Sequence, residues 1–169
     1  AQAFHDFTAA LKAGDASAIV VGPNVLNWDF TCIGCPGYTS GHAWVDAFRG
    51  AYRQTYGVEP PVDVWGVHAY DIDWQHLPMV RIDRAEGDLD ALHDYLQAIP
   101  EQTGKPIWLT EFGVIWAFDG AESIKVDGAN QLRPAGKYAA EQVNDNLASL
   151  VDWLRTQGPA FNIRRAFLY

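Results

Sequence analysis

An apolar run that ends in a carboxylate is the most chemically suggestive stretch of this chain. In Lys105 to Val114, KPIWLTEFGV, residues of strand character give way to Thr110 and Glu111, and Phe112 and Gly113 follow. A glutamate at the carboxyl end of a buried strand opens onto the cavity that the strand borders, where it can attack an electrophilic carbon or take up a proton. The same residue would also serve as a solvated loop glutamate or a helix cap. A second run, VDVWGVHAYD, leaves His68 and Tyr70 at its own carboxyl end. Both are hydrogen-bonding side chains suited to a carboxylate or a sugar hydroxyl. A histidine in that place is equally often a structural donor satisfied by its neighbours.

Flat rings and amides gather beyond the same strand ends. Asn24 and Trp28 follow the first apolar run, later loops add Trp74, Trp116 and Phe118, and the last run ends at Tyr169. Indole and phenol rings pair with the C–H faces of pyranoses, although Trp also fills cores without touching a ligand. Asp29, Asp71, Asp73 and Asp119 share these loops. Their spacing matches no calcium loop, and no glycine-rich phosphate loop opens a helix, so neither a metal nor another cofactor is expected. Cys32-Ile-Gly-Cys35 is a C-x-x-C pair open to redox, zinc or disulfide readings. One pair lacks two of the four ligands of a closed zinc site, and a Pro-Gly follows where a redox motif needs a helix. A loop-bracing disulfide between Cys32 and Cys35 in an exported protein is the favoured reading.

Strands and helices alternate around these residues. Phe4, Phe7 and Leu11 mark one face of a helix over 1–13, and Ala18 to Gly22 reads as a buried strand. A helix over His42 to Tyr56 carries Trp44, Val45, Phe48, Ala51 and Tyr52 on one face. Val62 to Val67 is a strand, Leu89 to Ile99 a helix, Pro106 to Leu109 a strand, Pro134 to Leu154 a helix and Ile163 to Tyr169 a strand. The pattern predicts a single α/β domain over 1–169 with parallel strands and helical crossovers. Loops after the strands (23–41, 68–87, 111–133) are long and those before them are short, which marks the carboxyl face as the working face. Four units in 169 residues take about 42 residues each, so an eight-stranded (β/α)8 TIM barrel would take roughly 340. The expectation is half of such a barrel.

Composition narrows the partners. Twelve Lys and Arg against 21 Asp and Glu give a net charge of −9, and no basic stripe could neutralise a phosphate backbone, so nucleic acid is not an expected partner. No apolar run reaches the roughly 18 to 20 residues needed to cross a bilayer. Aromatics make up 13% of the chain and include seven Trp, a surplus that favours a flat ligand such as a sugar. Residue 1 is Ala and the sole Met is Met79, so residues upstream of position 1 are expected.

Trp108-Leu-Thr-Glu-Phe-Gly113, Trp65-Gly-Val-His-Ala-Tyr70 one strand earlier and Val21-Gly-Pro-Asn24 before that resemble the strand ends of retaining glycoside hydrolases of the TIM-barrel clan. More narrowly, they are similar to the "glycosyl hydrolase catalytic core" proteins, which include endo-β-1,3-glucanase-like members. The resemblance implies that the four strands are the fifth to eighth of the barrel, that Glu111 is the nucleophile, and that His68 and Tyr70 hold it and the glycone. It also implies a carbohydrate substrate, with Trp108 and Trp116 near the cleft. Retention needs a second carboxyl about 5 to 5.5 Å away. In the clan that residue ends the fourth strand, which would precede residue 1. Glu59, Glu86, Glu101, Glu122 and Glu141 fall in amino-side loops, helices or linkers. The chain alone is therefore expected to be poorly active or inactive. It is also expected to self-associate through open strand edges unless the N-terminal half-barrel is present. The rival expectation is a non-catalytic carbohydrate-binding protein.

Overall fold

The alternation of apolar runs and amphipathic stretches folds as strands and helices in the expected order. The structure, a computed structural model, describes residues 1–26, 28, 39–70, 82–113, 123–126, 129–132 and 140–169. Among them the elements are α1 (Gln2–Gly14), α2 (Gly41–Tyr56), β1 (Trp65–Tyr70), α3 (Ile82–Gln97), β2 (Ile107–Gly113), β3 (Ser123–Val126), β4 (Ala129–Leu132), α4 (Ala140–Thr156) and β5 (Ile163–Leu168).

β1, β2 and β5 form a parallel sheet in that order. On the other side of β1, Val21 and Val25 make isolated parallel bridges to Val64 and Val67. The parallel segments thus lie side by side in chain order, as the α/β reading expects. The segment before β1 departs from expectation, because Ala18 to Gly22 does not form a regular strand. Pro23 has no N–H for a ladder, and Gly22 sits at φ +148°, so pairing there is reduced to the two bridges. A second departure lies after β2, where the 111–133 stretch read as loop contains the antiparallel hairpin β3–β4. α4 is described over Ala140–Thr156, and Pro134, where the sequence places the start of this helix, lies outside the described residues.

The core fills the space between one sheet face and the helices. Trp65, Val67 and Ala69 of β1 and Ile107, Leu109 and Phe112 of β2 pack against Leu89, Leu92 and Leu96 of α3 and Leu150 of α4. Residues at alternate strand positions face the same side, so this set assigns one face of each strand to the helices. α2 buries Val45, Phe48, Arg49 and Tyr52; Ser40 caps its first turn by accepting from Ala43 N, and Gly57 ends it at φ 74°. The expected apolar face of α1 holds only in part, because Phe7 is 63% exposed while Thr8 is buried. No helix among the described residues is long and apolar enough to cross a membrane.

Candidate active site

The face of the sheet opposite the helices carries most of the candidate site residues that the structure describes. In β1, Gly66, His68 and Tyr70 alternate with Trp65, Val67 and Ala69 of the helix-side core and so point to the opposite face, where Tyr70 is buried and His68 half-buried. β2 alternates likewise at Ile107, Trp108 and Leu109 and then changes phase. Val67 pairs with Leu109, but the next residue, His68, pairs with Glu111. Thr110 is the extra residue of a bulge, and Phe112 returns to the core. Without the bulge, Glu111 would lie between an open-face Thr110 and an open-face Phe112 and point into the helices. With it, Thr110 and Glu111 both reach the open face, where each makes its side-chain contacts.

Two side chains of β1 then converge on one carboxylate oxygen. The Tyr70 hydroxyl donates to Glu111 Oε2 at 2.5 Å, and His68 Nδ1 lies 3.3 Å from the same oxygen. Among the described residues, Oε1 of Glu111 has no partner. The Glu111 side chain keeps 35% of its surface exposed, enough for a ligand to reach it. Burial, with the bond to Glu111, the negative charge of Glu111 and nearby Tyr169 adding to it, pushes the Tyr70 phenol well above its ordinary range. Tyr70 therefore stays protonated and donating throughout the neutral range. A carboxylate with one oxygen clamped and the other free is oriented for attack or for proton abstraction.

The model of the family described as "glycosyl hydrolase catalytic core" matches residues 1–161. The chain belongs to that family. No curated protein and no solved structure matches it. Membership in the glycosyl hydrolase catalytic core family points to glycoside hydrolysis and a carbohydrate substrate.

The other candidate residues of this family member fall in different places. Asn24 is exposed beside the open face, and Thr110 Oγ1 donates to its Oδ1 at 3.2 Å. Trp108 is half-buried on that face with the Arg165 guanidinium 4.5 Å from its ring centre and Phe167 at 6.2 Å, so Arg165 shares its ring surface with any ligand. Tyr169 is 87% exposed, and its backbone N–H donates to Phe112 O. Trp28 is a correction. It is 1% exposed, its ring stacks on His42 at 5.1 Å and meets Tyr95 at 5.0 Å, and its backbone N–H donates to Asp88. A ring closed in this way offers no face to a sugar, and the composition signal for Trp as a ligand platform is here a core signal. Cys32, Cys35, Trp74 and Trp116 lie outside the described residues, as do Phe118, Asp29, Asp71, Asp73 and Asp119. No group of three metal-ligating side chains occurs among the described residues. The bulge residue Thr110 was missed as a site residue. Its position directly before Glu111 at a strand end was the one signal available.

Proposed function

We propose that the protein takes part in retaining hydrolysis of a β-linked poly- or oligosaccharide, with Glu111 as nucleophile. The observation that supports this most directly is the clamp of Tyr70 and His68 on Oε2, which leaves Oε1 free at the carboxyl end of β2. In this reading Oε1 attacks the anomeric carbon and the bond to the leaving oxygen breaks as a proton reaches that oxygen. Water then cleaves the glycosyl ester. Tyr70 holds the carboxylate during attack and loses part of its bond as the charge on Glu111 is used up. Hydrogen bonding of Oε2 also fixes the direction in which Oε1 points.

The proton donor must be a second carboxyl. Among the described residues, Asp46 accepts from Tyr95, Glu59 accepts from Arg49, and Asp63 accepts from Lys12 and Val20, so these three are engaged with other groups. We therefore assign the acid/base to an upstream half of an eight-stranded barrel, in which the four parallel segments here are the last four. Wall strands in consecutive order fit that architecture. The reading makes the chain weakly active or inactive by itself, and it makes a secreted β-glucan-processing enzyme the natural setting.

Incubation with a 2-deoxy-2-fluoro-β-glycoside followed by peptide mass spectrometry tests this. The chain joined to its upstream half should carry one added glycosyl group on the peptide containing Glu111, and should hydrolyse a β-glucan that the chain alone leaves intact. Robust turnover by the 169 residues alone would refute the missing donor, and a label on another carboxylate would refute Glu111. Glu111→Gln separates enzyme from binding protein, because a lectin would be unaffected by it.

A further inference from the structure

One glycine on the open face of β1 is explained by a neighbour that the reaction as proposed leaves unused. A Cβ built on Gly66 would collide with Oδ1 of Asn24 and lie 2.9 Å from its Cγ, so only glycine lets the Asn24 carboxamide rest on the strand. The amide is also held from β2. Thr110 shares its hydroxyl hydrogen between Asn24 Oδ1 at 3.2 Å and the Val67 carbonyl at 3.3 Å, at the point where the β1–β2 register slips. The oxygen end of the amide is thereby fixed, and Nδ2 is left on the far side of it with two hydrogens. No described residue accepts from Nδ2, although Asn24 is exposed. Along β1 the cradle at Gly66 stands two residues before His68, on the same face as the Glu111 clamp.

We propose that Asn24 is a specificity residue that donates through Nδ2 to a sugar hydroxyl below the reacting centre, with Thr110 and Gly66 as its positioning residues. The proposal rests on the carbohydrate reading of the Glu111 site. It adds that the bulge which turns Glu111 to the open face also supplies the hydroxyl that orients the amide. A clamped amide donor recognises a hydroxyl oxygen in one direction and rejects a sugar lacking it, because Nδ2 would then be desolvated without an acceptor.

Titration of the 15N-labelled chain, joined to its upstream half, with laminarihexaose, a β-1,3-linked glucose hexamer, followed by amide resonances, tests it. The side-chain NH2 pair of Asn24 should shift together with the backbone amides of His68, Tyr70 and Glu111 and give the same Kd. Asn24→Asp keeps the acceptor for Thr110 but removes the donor, and should weaken binding about tenfold. Thr110→Val should weaken it by a similar factor while Thr110→Ser restores it, a pattern that a merely structural role would not give. If the amides of β1 and β2 shift but the Asn24 pair does not, or if Thr110→Val binds like the parent, the Asn24 proposal falls while the carbohydrate reading stands. If neither laminarihexaose nor cellohexaose shifts any of these resonances, the carbohydrate reading falls and takes the proposal with it.

Discussion

The two ends of the parallel sheet use their polar groups in opposite ways. Among the described residues, several charges toward the amino end are closed on partners. Lys12 bonds Asp63 at 2.9 Å, Asp63 accepts from Val20 N, and Lys105 donates to the Val62 carbonyl at 2.7 Å. Arg49, 5% exposed, grips Glu59 through two nitrogens at 2.8 and 2.9 Å and donates to the Tyr95 hydroxyl, which in turn donates to Asp46. At the carboxyl end Glu111 has a free oxygen and Asn24 a free amide nitrogen among the described residues. Closed networks hold elements in place, whereas half-satisfied groups are what a ligand can complete. Under the proposed function, stability belongs to one end and chemistry to the other, and variants can break that assignment.

The largest effect should come from Glu111→Gln. Loss of the proposed nucleophile should lower turnover of a β-glucan by the chain joined to its upstream half about ten-thousandfold, about 5 kcal/mol. Gln still accepts from Tyr70, so the urea midpoint of the chain should hardly move. Equal losses of both would erase the distinction between the two ends.

Arg49→Ala is the mirror experiment. It leaves Glu59, whose side chain is only 12% exposed, without its main partner, and breaking a buried pair of this kind should cost about 3 to 5 kcal/mol. Urea unfolding measures it, and turnover per folded molecule should stay within about twofold of the parent if the amino end carries no chemistry. Arg49→Met serves where the alanine variant does not accumulate.

Tyr70→Phe sharpens the picture at the working end. It removes the 2.5 Å donor from Glu111, and bonds to a charged acceptor contribute about 1.5 to 3 kcal/mol. A fall of about ten- to a hundredfold in kcat is expected, with little change in stability. An unchanged kcat would show that His68 alone positions the carboxylate.

How far the sequence reveals this arrangement differs between fold and site. The order of helices and strands is legible because periodicity is a local property: Leu89, Leu92 and Leu96 announce the buried face of α3, and Ile107 and Leu109 that of β2. The regular strand expected at Ala18 to Gly22 failed where Pro23 intervenes, whereas the β3–β4 hairpin was legible in Asp127-Gly128, a strong hairpin dipeptide inside a stretch read as loop. Glu111, His68 and Tyr70 were placed together because strand ends on one side of a parallel sheet are neighbours. The bulge at Thr110 was not legible, since a register slip depends on how two strands meet and not on either alone. Trp28 went astray for a related reason, because whether an indole meets solvent or His42 and Tyr95 is decided by packing.

The smallest effect concerns the exposed part of the amino-end network, and its sign follows from Asp63. Burial works to raise the pKa of this carboxylate, but the Val20 N–H, the Lys12 ammonium bonded to it and the more distant charge of Lys105 outweigh burial and hold it below the ordinary value. A carboxylate depressed in the folded state stabilises the fold above its unfolded pKa of about 3.9. That contribution is lost as pH falls through the lower folded value. Lys12 and Asp63 are 37% and 45% exposed, so solvent screens the pair and its worth is at most about 1 kcal/mol. Lys12→Met should therefore lower stability slightly at pH 7, and the difference from the parent should shrink as urea midpoints are followed below about pH 4. No difference between Lys12→Met and the parent at any pH would mean that Asp63 is held by its backbone contact alone, and the amino end would then owe its order to the buried Arg49 cluster rather than to its surface charges.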